Sequence, residues 1–234
     1  MSIDVAAIQR RLGVVRNAVS RAAAGRADVT LIAVSKGHVS HAIRAAYEAG
    51  QRDFGESYPQ EWRTKSQELA DLSELRWHFI GHLQRNKTQW VAGQVALHHA
   101  VNSLAGLETL ARRSSQSGRI QDVLLQVNLA AEATKRGCAP DEIDTYAQAL
   151  LGAPGLRWRG LMTLPPQDGS ARVWFGRLRD LRDRLRSEHQ SALHAADCSL
   201  DLLSMGMSGD FREAIEEGAT HVRVGTAIFG PRGP

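Results

Sequence analysis

Eight short apolar runs, each followed by a segment with helical periodicity, restrict what this chain can fold into. The runs cover residues 29–34, 52–54, 77–80, 96–101, 123–127, 158–161, 200–203 and 221–224. Runs of this length read as buried strands, and apolar residues three and four apart read as helices. Ahead of the first run, Ile8, Leu12, Val15 and Val19 mark an additional N-terminal helix. Between the runs the punctuation is legible. Ser40 opens a helix that Gly50 closes, Ser103 opens the next, and Pro140 begins one that Gly152 ends. Trp174, Leu178, Leu181 and Leu185 trace the apolar stripe of a long one. Strands joined by helical crossovers pair in parallel. Eight such units predict a closed (β/α)₈ TIM barrel, one domain over residues 1–234. An open doubly wound sheet has fewer strands and a glycine-rich first turn, whereas the first turn here is Ser35-Lys36-Gly37-His38.

A length of 234 residues suits one barrel, and no stretch rich in Pro, Gly or Ser divides it. The apolar fraction of 43% exceeds that of a disordered chain and falls short of a membrane protein's. With no run of eighteen apolar residues and no secretory leader pattern, the expected location is the cytoplasm, without a membrane partner. The net charge of +4 is spread among acidic residues rather than gathered into a stripe, which argues against nucleic acid. Cys138 and Cys198 lie far apart and outside any ligand motif, so both are expected to be buried spectators rather than a disulfide or zinc site. His78 and His82 are four apart but fall on a strand and its loop, so they lack the helical geometry of a metal pair, and no metal is expected. His98 and His99 point to opposite faces of their strand.

In barrels of this type the working face is formed where the strands end, so the residues just after each apolar run are the candidates. They are Lys36; Glu56 and Ser57; His78 to Gly81; Asn102; Asn128; Met162 and Thr163; Ser204, Gly206 and Ser208; and, after Arg223, Gly225 and Thr226. Only four of 29 basic residues are lysine: Lys36, Lys65, Lys87 and Lys135. Codon bias gives that ratio as readily as a need for an amine that loses its proton. Directly after Leu31-Ile32-Ala33-Val34-Ser35, Lys36 either snorkels to solvent or projects, partly desolvated, into the barrel mouth as a nucleophile toward an aldehyde. The loops after the seventh and eighth strands are where barrels commonly hold phosphate. There Gly206, Gly209 and Gly225 let the backbone approach an anion, Ser208 and Thr226 supply hydroxyls, and Thr226-Ala227-Ile228-Phe229 can start a helical turn. Ordinary turn and cap chemistry uses the same residues. A lysine facing such a cradle selects an aldehyde that carries a phosphate.

These segments resemble the pyridoxal phosphate homeostasis proteins, whose fold is like the N-terminal barrel of alanine racemase. The similarity runs from about Ile32 to Gly230. It is carried by Ala33-Val34-Ser35-Lys36, Phe54-Gly55-Glu56, Trp77-His78-Phe79-Ile80-Gly81, Leu83-Gln84, Asn86-Lys87 and Arg159-Gly160-Leu161-Met162. Ser204-Met205-Gly206-Met207-Ser208 and the run from Val222 to Gly230 complete it. The resemblance implies that pyridoxal 5'-phosphate (PLP) forms a Schiff base with Lys36, that Ser208, Gly225 and Thr226 hold its phosphate, and that Arg223 faces its pyridine nitrogen. The competing reading pairs Arg223 with a carboxylate such as Glu56. The expected cofactor contacts are thus Lys36, Ser57, His78, Met162, Ser204, Gly206, Ser208, Arg223, Gly225 and Thr226. Four positions depart from the family's usual pattern: Ser57 for Asn, His82 for Pro, Arg85 for Ser and Gly209 for Asp.

The resemblance implies a monomeric, non-enzymatic protein of intracellular PLP homeostasis and cofactor delivery, with transient contact to apo-enzymes. The alternative is a PLP-dependent racemase-like amino-acid enzyme. Alanine-racemase-type chemistry takes a second base from a tyrosine on an additional β domain. Here the barrel is expected to fill the chain, and among Tyr47, Tyr58 and Tyr146 only Tyr58 lies near a strand end, where it begins the next helix.

Overall fold

The computed structural model describes residues 4–132, 134–166 and 168–231. The strands are β1 (Thr30–Val34), β2 (Asp53–Glu56), β3 (Arg76–Phe79), β4 (Leu97–Val101), β5 (Gln121–Gln126), β6 (Leu156–Met162), β7 (Leu202–Ser204) and β8 (His221–Val224). All pair in parallel with their sequence neighbours, and β8 pairs back onto β1, with Ile32 opposite Arg223 and Ala33 opposite Val224. The result is the closed (β/α)₈ barrel with an extra N-terminal helix.

The helices are α1 (Val5–Ala23), α2 (Ser40–Glu48), α3 (Pro59–Glu68), α4 (Thr88–Val91), α5 (Leu104–Gln116), α6 (Ile143–Leu151), α7 (Ala171–Glu188), α8 (Gln190–Ala195), α9 (Phe211–Glu216) and α10 (Thr226–Phe229). Ser103 caps α5 by accepting from the Gly106 amide at 3.2 Å. On α7 the buried residues are Phe175, Leu178 and Leu185, while Trp174 is half-buried with its indole N–H on Ser170 Oγ at 2.8 Å. Leu178, Leu181 and Leu185 face the core as expected, and only Trp174 gives its place to Phe175, whose ring is fully buried.

Alternation along each strand sorts residues into two layers. Ala33, Phe54, Phe79, Leu125, Leu161, Leu203, Val222 and Val224 face the helices and form the main core with Ile8, Leu12, Val15 and Val19 of α1. Leu97, Ala100, Leu124 and Met162 form a separate cluster in the lumen. α1 lies across the seam where β8 meets β1, and Arg11 donates to the carbonyls of Ile228 (2.8 Å) and Phe229 (3.3 Å). Cys138 is fully buried and burial pushes its thiol up to about 12, whereas Cys198 is only half-buried, contrary to expectation, because it sits in the loop before β7. Among the described residues no helix is long and apolar enough to cross a membrane.

Candidate functional site

At the end of β1, Ser35 continues the ladder by donating its amide to the Gly55 carbonyl at 3.0 Å. Lys36 and Gly37 then turn the chain, closed by the His38 amide on the Ser35 carbonyl at 3.0 Å. Gly37 has φ +75°, a conformation in which a side chain would be strained. Lys36 is half-buried at the rim. A buried ion cluster braces this turn. Lys65 Nζ donates to the Ser35 carbonyl (2.8 Å), to Glu56 Oε1 (2.7 Å) and to Glu61 Oε1 (2.7 Å). The Ser35 hydroxyl donates to Glu56 Oε1 at 2.7 Å, and the Gly37 amide donates to Glu61 Oε1 at 2.6 Å. Burial pushes the Glu56 carboxyl up to about 7, against the pull of Lys65 and Ser35. Its Oε2 has no hydrogen-bond partner among the described residues.

The loops expected to cradle an anion follow β7 and β8. Gly206 is buried with φ +90°, and a Cβ there would stand 2.6 Å from the Ala214 Cβ. The Met207 amide donates to Asp210 Oδ1 at 2.6 Å, which leaves Ser208 exposed at the loop tip. After β8, Gly225 leads into α10, whose first amides, Thr226 and Ala227, have no acceptor within their own turn. A Cβ on Gly225 would stand 3.1 Å from the Val34 carbonyl oxygen and 3.3 Å from the Val34 Cβ. The Phe229 ring meets the His38 ring at 5.1 Å. The loop after β8 therefore lies directly on the end of β1, beside Lys36.

Arg223 reaches upward inside the lumen and is 5% exposed. Its Nη1 donates to Ser204 Oγ at 2.6 Å and its Nη2 to the Thr163 carbonyl, just past β6, at 3.2 Å. Burial draws the guanidinium down to about 10 while Asp210 pulls the other way, so it stays charged at neutral pH. Glu56 is not its partner. That carboxylate lies on the helix-facing side of β2, held by Lys65 and Ser35, because residues 54 and 56 share a face opposite the lumen. Ser204 is fully buried, its hydroxyl also meeting His99 Nδ1 at 2.7 Å. His78 is buried between Asp53 Oδ1 (3.0 Å) and His99 Nε2 (2.9 Å).

The expected residues thus divide by depth. Lys36, Ser57, Gly206, Ser208, Gly225 and Thr226 occupy the strand ends and their loops. Arg223 stands beneath, and Ser204, His78 and Met162 lie in the lumen below the rim. Reasoning from strand ends missed Lys65, Glu61, Asp53 and His99. Glu61 and Lys65 were readable as an i,i+4 pair, but nothing local to them signals burial. The other lysines have defined surroundings: Lys87 Nζ lies 4.5 Å from the Trp90 ring centroid, and Lys135 bonds the Pro165 carbonyl at 2.9 Å. A surface groove of about 640 Å³ near Arg186, His194 and Asp201 opens where β7 begins, away from these residues.

The family model for the N-terminal domain of alanine racemase matches residues 3–233. The pyridoxal phosphate homeostasis protein of Pseudomonas aeruginosa is 43% identical over 221 residues, spanning 93% of this chain and 91% of its own. Its namesake in Aquifex aeolicus is 39% identical over 228 residues, with 96% of each chain covered. The chain belongs to the pyridoxal phosphate homeostasis protein family. A solved structure agrees: PipY of Synechococcus elongatus, with PLP bound, is 37% identical with a TM-score of 0.84, over 95% of this chain and 100% of that one.

Against the usual pattern of pyridoxal phosphate homeostasis proteins, the departures fall at the periphery. His82 is exposed, its Nδ1 3.0 Å from Asn102 Oδ1, and Arg85 is exposed in the short turn Arg85–Lys87. At Gly209 a Cβ would meet nothing within 4 Å, so glycine there answers no steric need. Ser57 is half-buried, and its carbonyl lies so close to Gly81 that a Cβ on Gly81 would overlap it. Neither His78 nor His82 belongs to a metal-type cluster. Among the described residues the one such group, Asp144, Glu188 and His189, is at the surface, where Arg184 already bonds Glu188 at 2.8 Å.

Proposed function

We propose that this chain binds pyridoxal phosphate at the barrel rim as an imine on Lys36 and serves cofactor homeostasis, holding PLP and yielding it to apo-enzymes without strong catalysis of its own. The observation that carries this reading is the contact of Gly225 with the end of β1. It brings the loop after β8 against the turn that bears Lys36, which supports a ligand carrying both an aldehyde and a phosphate. Lys36 would offer the amine with which the aldehyde of a bound PLP would condense, with loss of water. The Thr226 and Ala227 amides and the Ser208 hydroxyl take the phosphate, and Gly225 keeps the approach open. Ser57 adds a hydroxyl beside the ring. Arg223 presents a charged donor to the ring nitrogen. A guanidinium cannot give up its proton at neutral pH, so the nitrogen stays unprotonated and the ring is a poor electron sink. Such a site suits storage and transfer better than carbanion chemistry. The working form in this reading is a cytoplasmic monomer.

The test is borohydride reduction of the yellow protein followed by peptide mapping. The label is expected on Lys36 and is expected to vanish in Lys36→Ala. A label on Lys65 or Lys87 overturns the assignment. Racemisation of common amino acids well above the rate with PLP alone would replace homeostasis by enzyme chemistry.

A further inference from the structure

Below Arg223 the lumen carries an unbroken row of hydrogen bonds. Arg223 Nη1 lies 2.6 Å from Ser204 Oγ, Ser204 Oγ 2.7 Å from His99 Nδ1, His99 Nε2 2.9 Å from His78 Nδ1, and His78 Nε2 3.0 Å from Asp53 Oδ1. Asp53 also takes Arg76 Nε at 2.8 Å and Nη2 at 2.6 Å. The row spans the barrel from Arg76, at the start of β3, to the strand-end face. His78, His99, Ser204 and Arg223 are each at most 5% exposed. His221 flanks both rings, with centroids 6.0 Å from His78 and 5.8 Å from His99.

Read with one proton on each imidazole, the two ends of the row assign every proton. The guanidinium only donates and the Asp53 carboxylate only accepts, so the direction is set from the Asp53 end, and Ser204 Oγ, accepting from Arg223, closes the row by donating to His99 Nδ1. His99 then carries its proton on Nε2 and donates to His78 Nδ1. His78 carries its proton on Nε2 and donates to the Asp53 carboxylate, which only accepts. Burial first, with His78, His221 and Arg223 close by, holds His99 well below the usual imidazole range, so this ring is neutral. Burial works to raise the Asp53 carboxyl, but Arg76 and His78 outweigh it and keep it ionised.

We propose that Asp53, His78 and His99 are positioning residues: their one-way hydrogen-bond line locks Ser204 as an acceptor and so fixes the Arg223 guanidinium under the pyridine nitrogen of the cofactor. This rests on the placement of Arg223 against that nitrogen given above. A buried serine without the line could rotate its hydroxyl away and would leave Arg223 only the Thr163 carbonyl. The line instead ties the orientation of the cofactor-facing cation to a carboxylate at the opposite end of the lumen.

The experiment is a double-mutant cycle on the full chain, reading PLP dissociation constant and visible absorption maximum. Arg223→Gln, His99→Leu and their combination are compared. His99→Leu is expected to weaken PLP about tenfold, a coupling of about 1.4 kcal/mol, and to shift the maximum. In the Arg223→Gln background it is expected to do neither. His99→Asn, whose Oδ1 can take the place of Nδ1, is expected to recover most of the loss. In the cofactor-free protein, ¹⁵N shifts are expected to place the proton of both rings on Nε2.

A His99→Leu effect that persists in full beside Arg223→Gln overturns the inference, as does a His99 proton on Nδ1 at neutral pH. If Arg223→Gln changes binding and spectrum but His99→Leu changes neither, the inference falls and the site stands. If Arg223→Gln itself changes neither, the placement of Arg223 falls and the inference with it. Should His99→Leu not fold, Ser204→Ala takes its place in the same cycle with the same expectations.

Discussion

Lys65 Nζ lies 2.8 Å from the carbonyl oxygen of Ser35, the residue that precedes Lys36. A buried ammonium on α3 thus grips the backbone next to Lys36, and the same nitrogen donates to Glu56 and Glu61. Removing one member of such a cluster leaves a buried charge uncompensated, which typically costs about 3–5 kcal/mol. Lys65→Met is therefore expected to lower the urea unfolding free energy of the cofactor-free protein by about that amount, and Lys65→Met/Glu56→Gln is expected to recover most of it. Equal stability of Lys65→Met and the parent chain would remove the bracing role.

The Glu56 carboxyl, raised by burial to about 7, gives the chain a pH signature of definite sign. The folded state holds this proton more tightly than the unfolded state, whose value is near 4.5. Its contribution is fully present below about pH 4.5 and disappears as pH rises through about 7. Relative to Glu56→Gln, the parent chain is expected to lose on the order of 3 kcal/mol across that window. Parallel stability curves for the two proteins would contradict it.

His99 and His221 act in the opposite direction. Burial, reinforced by His78, lowers both, His221 to about 3. The folded state therefore refuses protons that the unfolded state accepts below about pH 6.5, so this contribution is present above that pH and fades as pH falls. Guanidinium titrations at a series of pH values are expected to show stability declining on acidification, and His221→Asn is expected to flatten the decline. An unchanged slope in that variant would remove His221 from the account.

Two glycines of the cradle separate affinity from stability. Gly225 has φ −114°, so the backbone itself admits other residues, but a Cβ would stand 3.1 Å from the Val34 carbonyl oxygen, and Gly225→Val is expected to cost about 1 kcal/mol of stability, less than Gly206→Ala. Its side chain crowds the Val34 carbonyl and is expected to weaken PLP by at least about tenfold, read by equilibrium dialysis. Gly206, at φ +90° and packed on Ala214, is different: Gly206→Ala is expected to cost roughly 1–3 kcal/mol of fold stability. Reversal of this pattern would place the phosphate elsewhere.

The barrel was legible because strand, helix and turn signals agree along most of the chain. The expected strand positions at 29–34 and 221–224 coincide with β1 and β8 within a residue, since Leu31 to Val34 is continuously apolar and Val222 and Val224 alternate with His221 and Arg223 at the strand period. Where boundaries moved, tertiary contact moved them. β6 bulges against β5 at Gly160, whose φ of +153° admits the Leu202 carbonyl where a Cβ would sit. The rim was readable from strand ends alone. The lumen was not, because His78, His99 and Asp53 meet only after three different strands close on one another, and their sequence spacing carries no trace of that meeting. Lys65 was invisible for a related reason: a lysine on a polar helix looks solvated until Glu56 arrives from the neighbouring strand.

Closure of the barrel between β8 and β1 has a consequence for when binding competence arises. In the proposed site the amine comes from the end of the first strand and the cradle from the loop after the last, so no partial chain ending before α10 owns both halves. Ribosomal synthesis must pass residue 229 before a phosphorylated aldehyde finds its two anchors side by side, and any ligand bridging them then rivets the oldest and youngest strands of the cylinder together.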